Sequence, residues 1–175
     1  MTEPTAAPEE GAEPKTGPSV LKSREDIRDA VVALIGLARR DILVFTPQME
    51  SYFFNGAQLG QMFASFAARH RNNRARLLVE DAAQVLRDND RLIGLCRRFA
   101  EFIQLRQVGE EHRGLREMFV IVDGVSYLHQ PDITEPECVV EPSGRKHCAD
   151  ARRRFELMWD RSEPLTGLYV AGLRS

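Results

Sequence analysis

The sequence predicts a single α/β domain with a mixed β-sheet flanked by helices. Short apolar runs alternate along the chain with segments whose apolar residues recur at helical spacing, as in α/β proteins. An Asp-Gly pair at 123–124 separates two further apolar runs, and this dipeptide is typical of a tight hairpin, which adds antiparallel strands. The 175 residues, 43% of them hydrophobic, are enough for one core. No apolar run approaches the roughly 20 residues that span a bilayer, so we expect no membrane contact.

The charge and composition divide the chain unequally. Residues 1–19 contain four Glu and one Lys and no apolar block, so they cannot offset their ordering entropy by burial. We therefore predict an acidic, Pro-rich, disordered tail at 1–20 and the folded domain at 21–175. The tail has neither the basic start nor the apolar stretch of a secretory signal, so we expect a cytoplasmic protein. The rest of the chain, after residue 19, contains 23 basic and 22 acidic residues, so the domain is nearly neutral.

Helix and strand signals alternate in the first part of the domain. Ser23 precedes Glu25 and Asp26, as an N-cap precedes acids in a first helical turn. The apolar pattern then predicts, in order, a helix from Ser23, a strand at 41–47, a helix around 59–67, a strand at 75–79 and a helix at 82–98.

The second part of the domain predicts a hairpin and a final helix. A strand near 102–108 is followed by strands at 118–122 and 125–129 that flank the Asp-Gly turn. Residues 130–147, with three prolines, are expected to form a long loop. The last element is a helix at 149–161 with Phe155, Met158 and Trp159 on its apolar side.

The order of these elements and three local motifs resemble a known fold. The strand ending at Thr46-Pro47, the segment ARLLVE at 75–80 and the segment REMFVIVDGVSYL at 116–128 resemble one half of a phospholipase D-like domain, over residues 22–162. In active members the strand before the turn carries H-x-K-x4-D, and two such motifs meet at one site. One histidine attacks phosphorus, the other protonates the leaving group, and the lysines hold the phosphate.

Counting back from Asp123 places Met118 at the lysine position and Arg116 at the histidine position. Arginine stays protonated and cannot act as the nucleophile, and methionine cannot neutralise a phosphate. We therefore predict no catalytic residues and no cofactor. The segments Arg116-Glu117, YLHQP and RRFELMWDRSEP further resemble a bacterial group of degenerate phospholipase D-like domains without an assigned function.

Four residues near the altered motif are candidates for binding an anion or another ligand: Arg116, Asp123, Tyr127 and His129. Arg116 could bind two oxygens of a phosphate, or form an internal ion pair with Glu117, Glu101 or another acid, which is the interpretation we favour. His129, on the same face as Tyr127, could replace the missing histidine as an acid or base, but we favour a structural or surface role. Asp123 is also explained by the turn alone.

A second set of candidates is basic. Arg69, Arg71, Arg74 and Arg76 fall within eight residues and could contact nucleic-acid phosphates. Because the domain as a whole is nearly neutral, we favour a solvated helix exit, and the sequence argues against nucleic acid as a partner.

Three adjacent aromatic residues and the three cysteines are the remaining candidates for a functional role. Tyr52, Phe53 and Phe54 could line a cleft or a dimer contact, or could fold back over the sheet. Cys96 lies in an apolar pattern and is expected in the core. Cys138, His147 and Cys148 lack a CxxC pair, and we predict no metal site.

Three functional hypotheses follow. The first is a non-catalytic binding or regulatory domain of unknown ligand, which could bind a protein partner or form a homodimer across the face where two motifs would meet. The second is a phosphodiester- or phosphate-directed enzyme with altered chemistry that uses Arg116, Asp123 and His129. The third is nucleic-acid binding through Arg69–Arg76.

Overall fold

The computed structural model describes residues 17–165 and 167–168, and it confirms the predicted α/β class. The strands are β1 (Ser19–Leu21), β2 (Asp41–Phe45), β3 (Arg74–Val79), β4 (Ile103–Gln107), β5 (Met118–Val122), β6 (Ser126–Gln130), β7 (Cys138–Glu141) and β8 (Glu163–Pro164). The helices are α1 (Arg24–Leu37), α2 (Ser51–Phe54), α3 (Ala57–Arg69), α4 (Ala82–Asp88), α5 (Asp90–Arg98) and α6 (Arg145–Asp160). A short 3-10 helix spans Glu110–His112. Most of the predicted tail, residues 1–16, lies outside the described residues.

The eight strands within the described residues form one mixed sheet in the order β1-β7-β6-β5-β2-β3-β4-β8. The neighbours β2, β3 and β4 are parallel, and Asp41 pairs in register with Arg74. β5 runs antiparallel to β2, with Ile42 opposite Val122 and Phe45 opposite Phe119. We call the side where β2 and β3 begin the amino edge and the side where they end the carboxyl edge. The hairpin turn after β5 therefore lies at the amino edge, and the start of β5 lies at the carboxyl edge.

Helices cover both faces of the sheet. The first five helices pack on one face, over a core that includes Met118, Val120 and Val122 of β5. α6 covers the other face, over a smaller core that includes Phe119 and Ile121. This is the alternation that the sequence predicted for β5, because successive side chains of a strand point to opposite faces.

Residues near the helix boundary correctly predicted where α1 begins, but they did not predict where α4 ends. The Ser23 side chain accepts a hydrogen bond from the backbone N–H of Asp26, as predicted. The single helix expected at 82–98 is wrong, because the chain breaks at Asn89 into α4 and α5. Asn89 is buried and its Nδ2 donates to the Met49 carbonyl at 2.8 Å, a tertiary contact that holds this residue outside helical geometry.

The long loop predicted at 130–147 is also wrong. β7 lies within it, paired on one side with β6 and on the other with β1. α6 begins at Arg145, four residues before the predicted start. β1 includes Ser19 and Val20, which the sequence analysis placed in the tail.

The aromatic cluster at 52–54 folds back over the core. Phe53 and Phe54 are buried, whereas Tyr52 stays partly exposed beside Arg24 and Arg28. Two of its three rings are therefore not accessible to a second molecule. Among the described residues, no helix is both long enough and apolar enough to cross a bilayer. The cytoplasmic localisation stays a prediction.

Candidate functional site

Arg116, which the count back from Asp123 assigned to the motif histidine position, lines a cavity at the carboxyl edge. The cavity has a volume of about 360 Å³ and lies between the ends of β2 and β3 and the start of β5. Its lining includes Pro47, Gln48, Glu80, Asp81, Arg116 and Thr134. The Arg116 side chain is 64% exposed, and its Nη2 lies 3.4 Å from Asp132 Oδ1 and 3.2 Å from Thr134 Oγ1. The acid that pairs with Arg116 is thus Asp132, and the pair is exposed rather than internal.

The loop after β6 holds this pair in place. The backbone N–H of Ile133 donates to the Arg116 carbonyl at 2.8 Å, and the backbone N–H and hydroxyl of Thr134 both donate to Asp132 Oδ1. These Thr134 hydrogen bonds, followed by the Arg116 charge, lower the pKa of Asp132. Asp132 is therefore ionised at neutral pH and occupies one side of the Arg116 guanidinium.

Met118 does not reach the carboxyl-edge cavity. Its side chain is 1% exposed and belongs to the core beneath α1–α5. The residue that the count back from Asp123 assigned to the motif lysine position is therefore a buried core residue.

The charge of the carboxyl edge is unfavourable for an anion. Glu80 and Asp81 contribute two carboxylates to the cavity, against the single guanidinium of Arg116. Asp81 caps α4 by accepting from the backbone N–H of Gln84, and Glu80 Oε2 accepts from the backbone N–H of Gly114. Both acids also line the adjoining cavity, which includes Gln107 and Arg113. Carboxylates committed to the scaffold repel a phosphate from this edge.

His129 and Tyr127 lie on the opposite face of the sheet, beneath α6. His129 Nε2 lies 2.8 Å from Glu117 Oε2, and Glu117 also forms an ion pair with Arg154 of α6. The Tyr127 ring stacks on the His129 ring with centroids 5.7 Å apart. Burial, followed by the charge of His147, lowers the pKa of His129, and burial raises that of Tyr127 to about 12. His129 and Arg116 are therefore separated by the sheet.

Asp123 lies at the amino edge and has a structural role. Its carboxylate accepts from the backbone N–H groups of Arg39, Arg40 and Asp41 at 2.8–2.9 Å. Asp123 and Gly124 have φ values of +56° and +66°, the conformation of a type I′ hairpin turn. The structure therefore does not bring together the four candidates Arg116, Asp123, Tyr127 and His129.

A larger cavity, of about 540 Å³, opens at the amino edge. It is lined by Arg39, Arg40, Arg69, His70, Asn72 and Asn73, and this lining contains no carboxylate. Arg69 was predicted from the sequence as a basic candidate, whereas Arg39 and Arg40 were not. The available signal was an Arg-Arg pair between a helix and a strand, which becomes informative only once β2 is known to lie beside β3.

The four arginines of the 69–76 segment lie in two different places in the structure. Arg69 donates to the Ala38 carbonyl at 3.1 Å, and Arg74 donates to the carbonyls of Arg71 and Asn73. Arg76 instead points to the α6 face, where it forms two hydrogen bonds with Glu156 at 2.9 and 2.5 Å. The four arginines therefore do not form one continuous surface.

The three cysteines are all buried free thiols. Burial raises the pKa of Cys96 and of Cys138 to about 12 and that of Cys148 to about 11. Cys96 lies in the core, as predicted. Within the part of the chain that the structure describes, no group of three or more His, Cys, Asp or Glu side chains is arranged to hold a metal ion.

The architecture matches solved structures of phospholipase D-like proteins. The chain is similar to Nuc of Salmonella typhimurium, a phospholipase D family member, with a TM-score of 0.60 and 15% identity, over 84% of this chain and 97% of Nuc. It is similar to NucT of Helicobacter pylori, with a TM-score of 0.59 and 11% identity, over 84% of this chain and 98% of NucT. The chain therefore has a phospholipase D-like fold, and at these identities the likeness concerns the fold alone.

An archaeal chromatin protein, TrmBL2, shares this fold. The TM-score is 0.65 at 14% identity, over 89% of this chain and 56% of TrmBL2, so the chain spans little more than half of that protein. The structure of TrmBL2 shows a novel mode of DNA binding. No curated protein matches the sequence. Residues 23–169 match the family described as "Domain of unknown function (DUF7931)", and the chain belongs to that family.

Proposed function

We propose that this chain is a non-catalytic phospholipase D-like domain that acts as a binding or regulatory module. The observation that carries the proposal is the pair of residues at the motif positions. Arg116 is an exposed guanidinium beside Asp132, and Met118 is buried in the core. A guanidinium stays protonated and cannot attack phosphorus, and a buried thioether supplies no cation to hold a phosphate.

The positions of the other candidate residues also support a domain without this chemistry. A general acid or base must lie within hydrogen-bond reach of the reacting group. Arg116 is at the carboxyl edge, Asp123 is at the amino edge, and His129 is engaged with Glu117 beneath α6. An enzyme that used all three would need one substrate to reach three separate places on the domain.

A phosphodiesterase assay tests the proposal. The purified protein is incubated with bis(p-nitrophenyl) phosphate beside the variants Arg116→Ala and His129→Ala, and release of p-nitrophenolate is followed. We expect no rate above buffer for any of the three proteins. A rate in the unaltered protein that disappears in either variant would refute the proposal and support the alternative of an enzyme with altered chemistry.

The nature of the partner stays a prediction. A homodimer or another protein partner is compatible with a binding module, and sedimentation velocity of the purified chain distinguishes a monomer from a dimer. The basic segment supports a second candidate function, nucleic-acid binding. Arg69, Arg71 and Arg74 remain together at the amino edge, although Arg76 does not.

A further inference from the structure

The amino edge brings together two loops that are distant in the sequence. β2 and β3 are parallel neighbours with Asp41 opposite Arg74, so the loop after α1 lies beside the loop after α3. The backbone N–H of Arg74 donates to the Arg40 carbonyl at 3.1 Å, and Arg69 Nη1 donates to the Ala38 carbonyl. These contacts join the two loops into one surface.

This surface, which we call the basic edge, consists of Arg39, Arg40, Arg69, His70, Arg71 and Arg74. All six side chains are exposed. Within residues 17–165, no acidic side chain lies within ion-pair distance of any of the five guanidinium groups. Like charges that lie close together repel, and a bound anion relieves that repulsion.

The backbone of the basic edge is fixed before any ligand binds. The Asp123 carboxylate holds the backbone N–H groups of Arg39, Arg40 and Asp41, and the Asp123 N–H donates to the Asp41 carbonyl at 2.8 Å. Buried Asn73 donates to the Phe66 carbonyl at 2.9 Å and fixes the second loop. A preorganised site loses less entropy when it binds, so this rigidity favours recognition.

The stabilisation of cations by helix C-termini explains only some of the arginines at the basic edge. The loops follow the C-termini of α1 and α3, where the helix dipole stabilises a cation. Arg69, in the last turn of α3, satisfies that preference and bonds the Ala38 carbonyl. The remaining four arginines exceed what two helix ends require.

We infer that the basic edge binds the phosphate groups of a nucleotide-sized ligand, with Arg39 and Arg40 as its principal contacts. The cavity of about 540 Å³ is within the range of small-molecule sites. Guanidinium groups bind phosphate oxygens through two parallel hydrogen bonds. His70 Nδ1 accepts from the backbone N–H of Asn72, which leaves Nε2 for a ligand. A free nucleotide and one unit of a nucleic-acid strand both present this chemistry. The inference deepens the proposed binding function by naming a ligand class.

The test compares matched losses of charge. In Arg39→Ala/Arg40→Ala, two cations leave the basic edge. In the control Arg153→Ala/Arg161→Ala, two exposed cations leave the α6 region, where their side chains are 77% and 73% exposed. ATP and inorganic pyrophosphate are titrated by calorimetry, and a fluorescein-labelled 12-nucleotide single strand by anisotropy at 50 and 200 mM NaCl. Circular dichroism verifies that both variants are folded.

We expect the unaltered protein and the control to bind and the Arg39/Arg40 variant to bind at least tenfold more weakly. For the single-stranded oligonucleotide, the slope of log affinity against log salt is negative. In the Arg39/Arg40 variant this slope should become shallower by about 1.4, since each lost phosphate contact removes about 0.7 from its magnitude. Binding of ATP and pyrophosphate alone supports a free nucleotide as the ligand, and tighter binding of the strand supports nucleic acid. Absence of binding to every probe at 1 mM, or equal losses in both variants, would overturn the inference.

The outcome is independent of the phosphodiesterase assay. Arg39 and Arg40 are not among the residues that assay alters, so a phosphate site without hydrolysis supports both proposals. Hydrolysis that persists in Arg39→Ala/Arg40→Ala would refute only the non-catalytic function.

Discussion

The carboxylate of Asp123 accepts a 2.8 Å hydrogen bond from the backbone N–H of Arg40, 83 residues earlier in the chain. The same carboxylate accepts from Arg39 and Asp41, and the Asp123 N–H donates back to the Asp41 carbonyl. One residue therefore forms the tight turn of the β5–β6 hairpin and anchors the start of the central strand β2. Asp123, which the sequence resemblance matched to the motif aspartate, is thus a scaffold residue of the amino edge.

This anchor predicts a clear loss of stability in Asp123→Ala. The variant loses three charge-assisted hydrogen bonds and places an alanine at φ +56°, so we expect its free energy of unfolding to decrease by about 3 kcal/mol. Asp123→Asn keeps a residue that tolerates positive φ, and its free energy of unfolding should decrease by about 1.5 kcal/mol. Urea denaturation measures both variants, and equal stability of Asp123→Ala and the unaltered protein would contradict the anchoring role.

Met118→Lys tests the burial of the motif lysine position. Met118 lies in the core and is 1% exposed, so an ammonium group at this position loses its hydration. We expect the free energy of unfolding of Met118→Lys to decrease by about 3 kcal/mol. Met118→Leu keeps an apolar side chain of similar volume and should cost less than about 1.5 kcal/mol. If urea unfolding found the lysine variant as stable as the leucine variant, the position would reach solvent, contrary to the structure.

The Arg76–Glu156 pair joins β3 to α6, and its energy should depend on pH. The hydrogen bond from Arg76 lowers the pKa of Glu156 below its ordinary 4.5. Because the folded state favours the carboxylate, the stabilisation is complete above pH 4.5 and is lost as the pH falls through the lowered pKa.

A double-mutant cycle of Arg76→Ala and Glu156→Gln measures this contribution. Glu156 is 41% exposed, so solvent screens the pair, and we expect a coupling of about 1 kcal/mol at pH 7. The coupling should decrease below pH 4. A value independent of pH between 7 and 3 would show that the Glu156 carboxylate does not supply it.

The thiols provide a fourth prediction. Cys96, Cys138 and Cys148 are buried, and burial raises the pKa of each, so almost none is thiolate at neutral pH. Ellman's reagent should therefore titrate three thiols in guanidinium chloride and none rapidly in the folded protein. A fast-reacting thiol without denaturant would indicate local opening, and Cys→Ser variants would identify it.

Elements with a local signal were predicted correctly from the sequence, and elements decided by tertiary contacts were not. The Ser23 cap and the Asp123-Gly124 turn depend on neighbouring residues, and both were predicted. β1 and β7 are short strands that form through long-range pairing, β1 with β7 and β7 also with β6, and no periodic pattern marks strands of three and four residues. The break at Asn89 depends on the Met49 carbonyl, which no helical periodicity reveals.

The same distinction holds for the candidate sites. Counting along one strand identified Arg116 and Met118, because the spacing within a strand is local. The partner Asp132 lies on a loop after the next strand, and its contact with Arg116 could not be derived from spacing. Arg39 and Arg40 join Arg69 only because β2 lies parallel beside β3, and the lateral order of strands is a property of the whole fold.

The two ends of the sheet restrict how any partner can dock. β1 has three residues and β8 has two, and these are the outermost strands of the described sheet. β8 pairs with Arg106 and Gln107 alone, so on that side the backbone of β4 at 103–105 has no strand partner within the described residues. Strand addition at β1 could engage only its three residues, so we expect recognition at that end of the sheet to depend on side chains rather than on backbone hydrogen bonds.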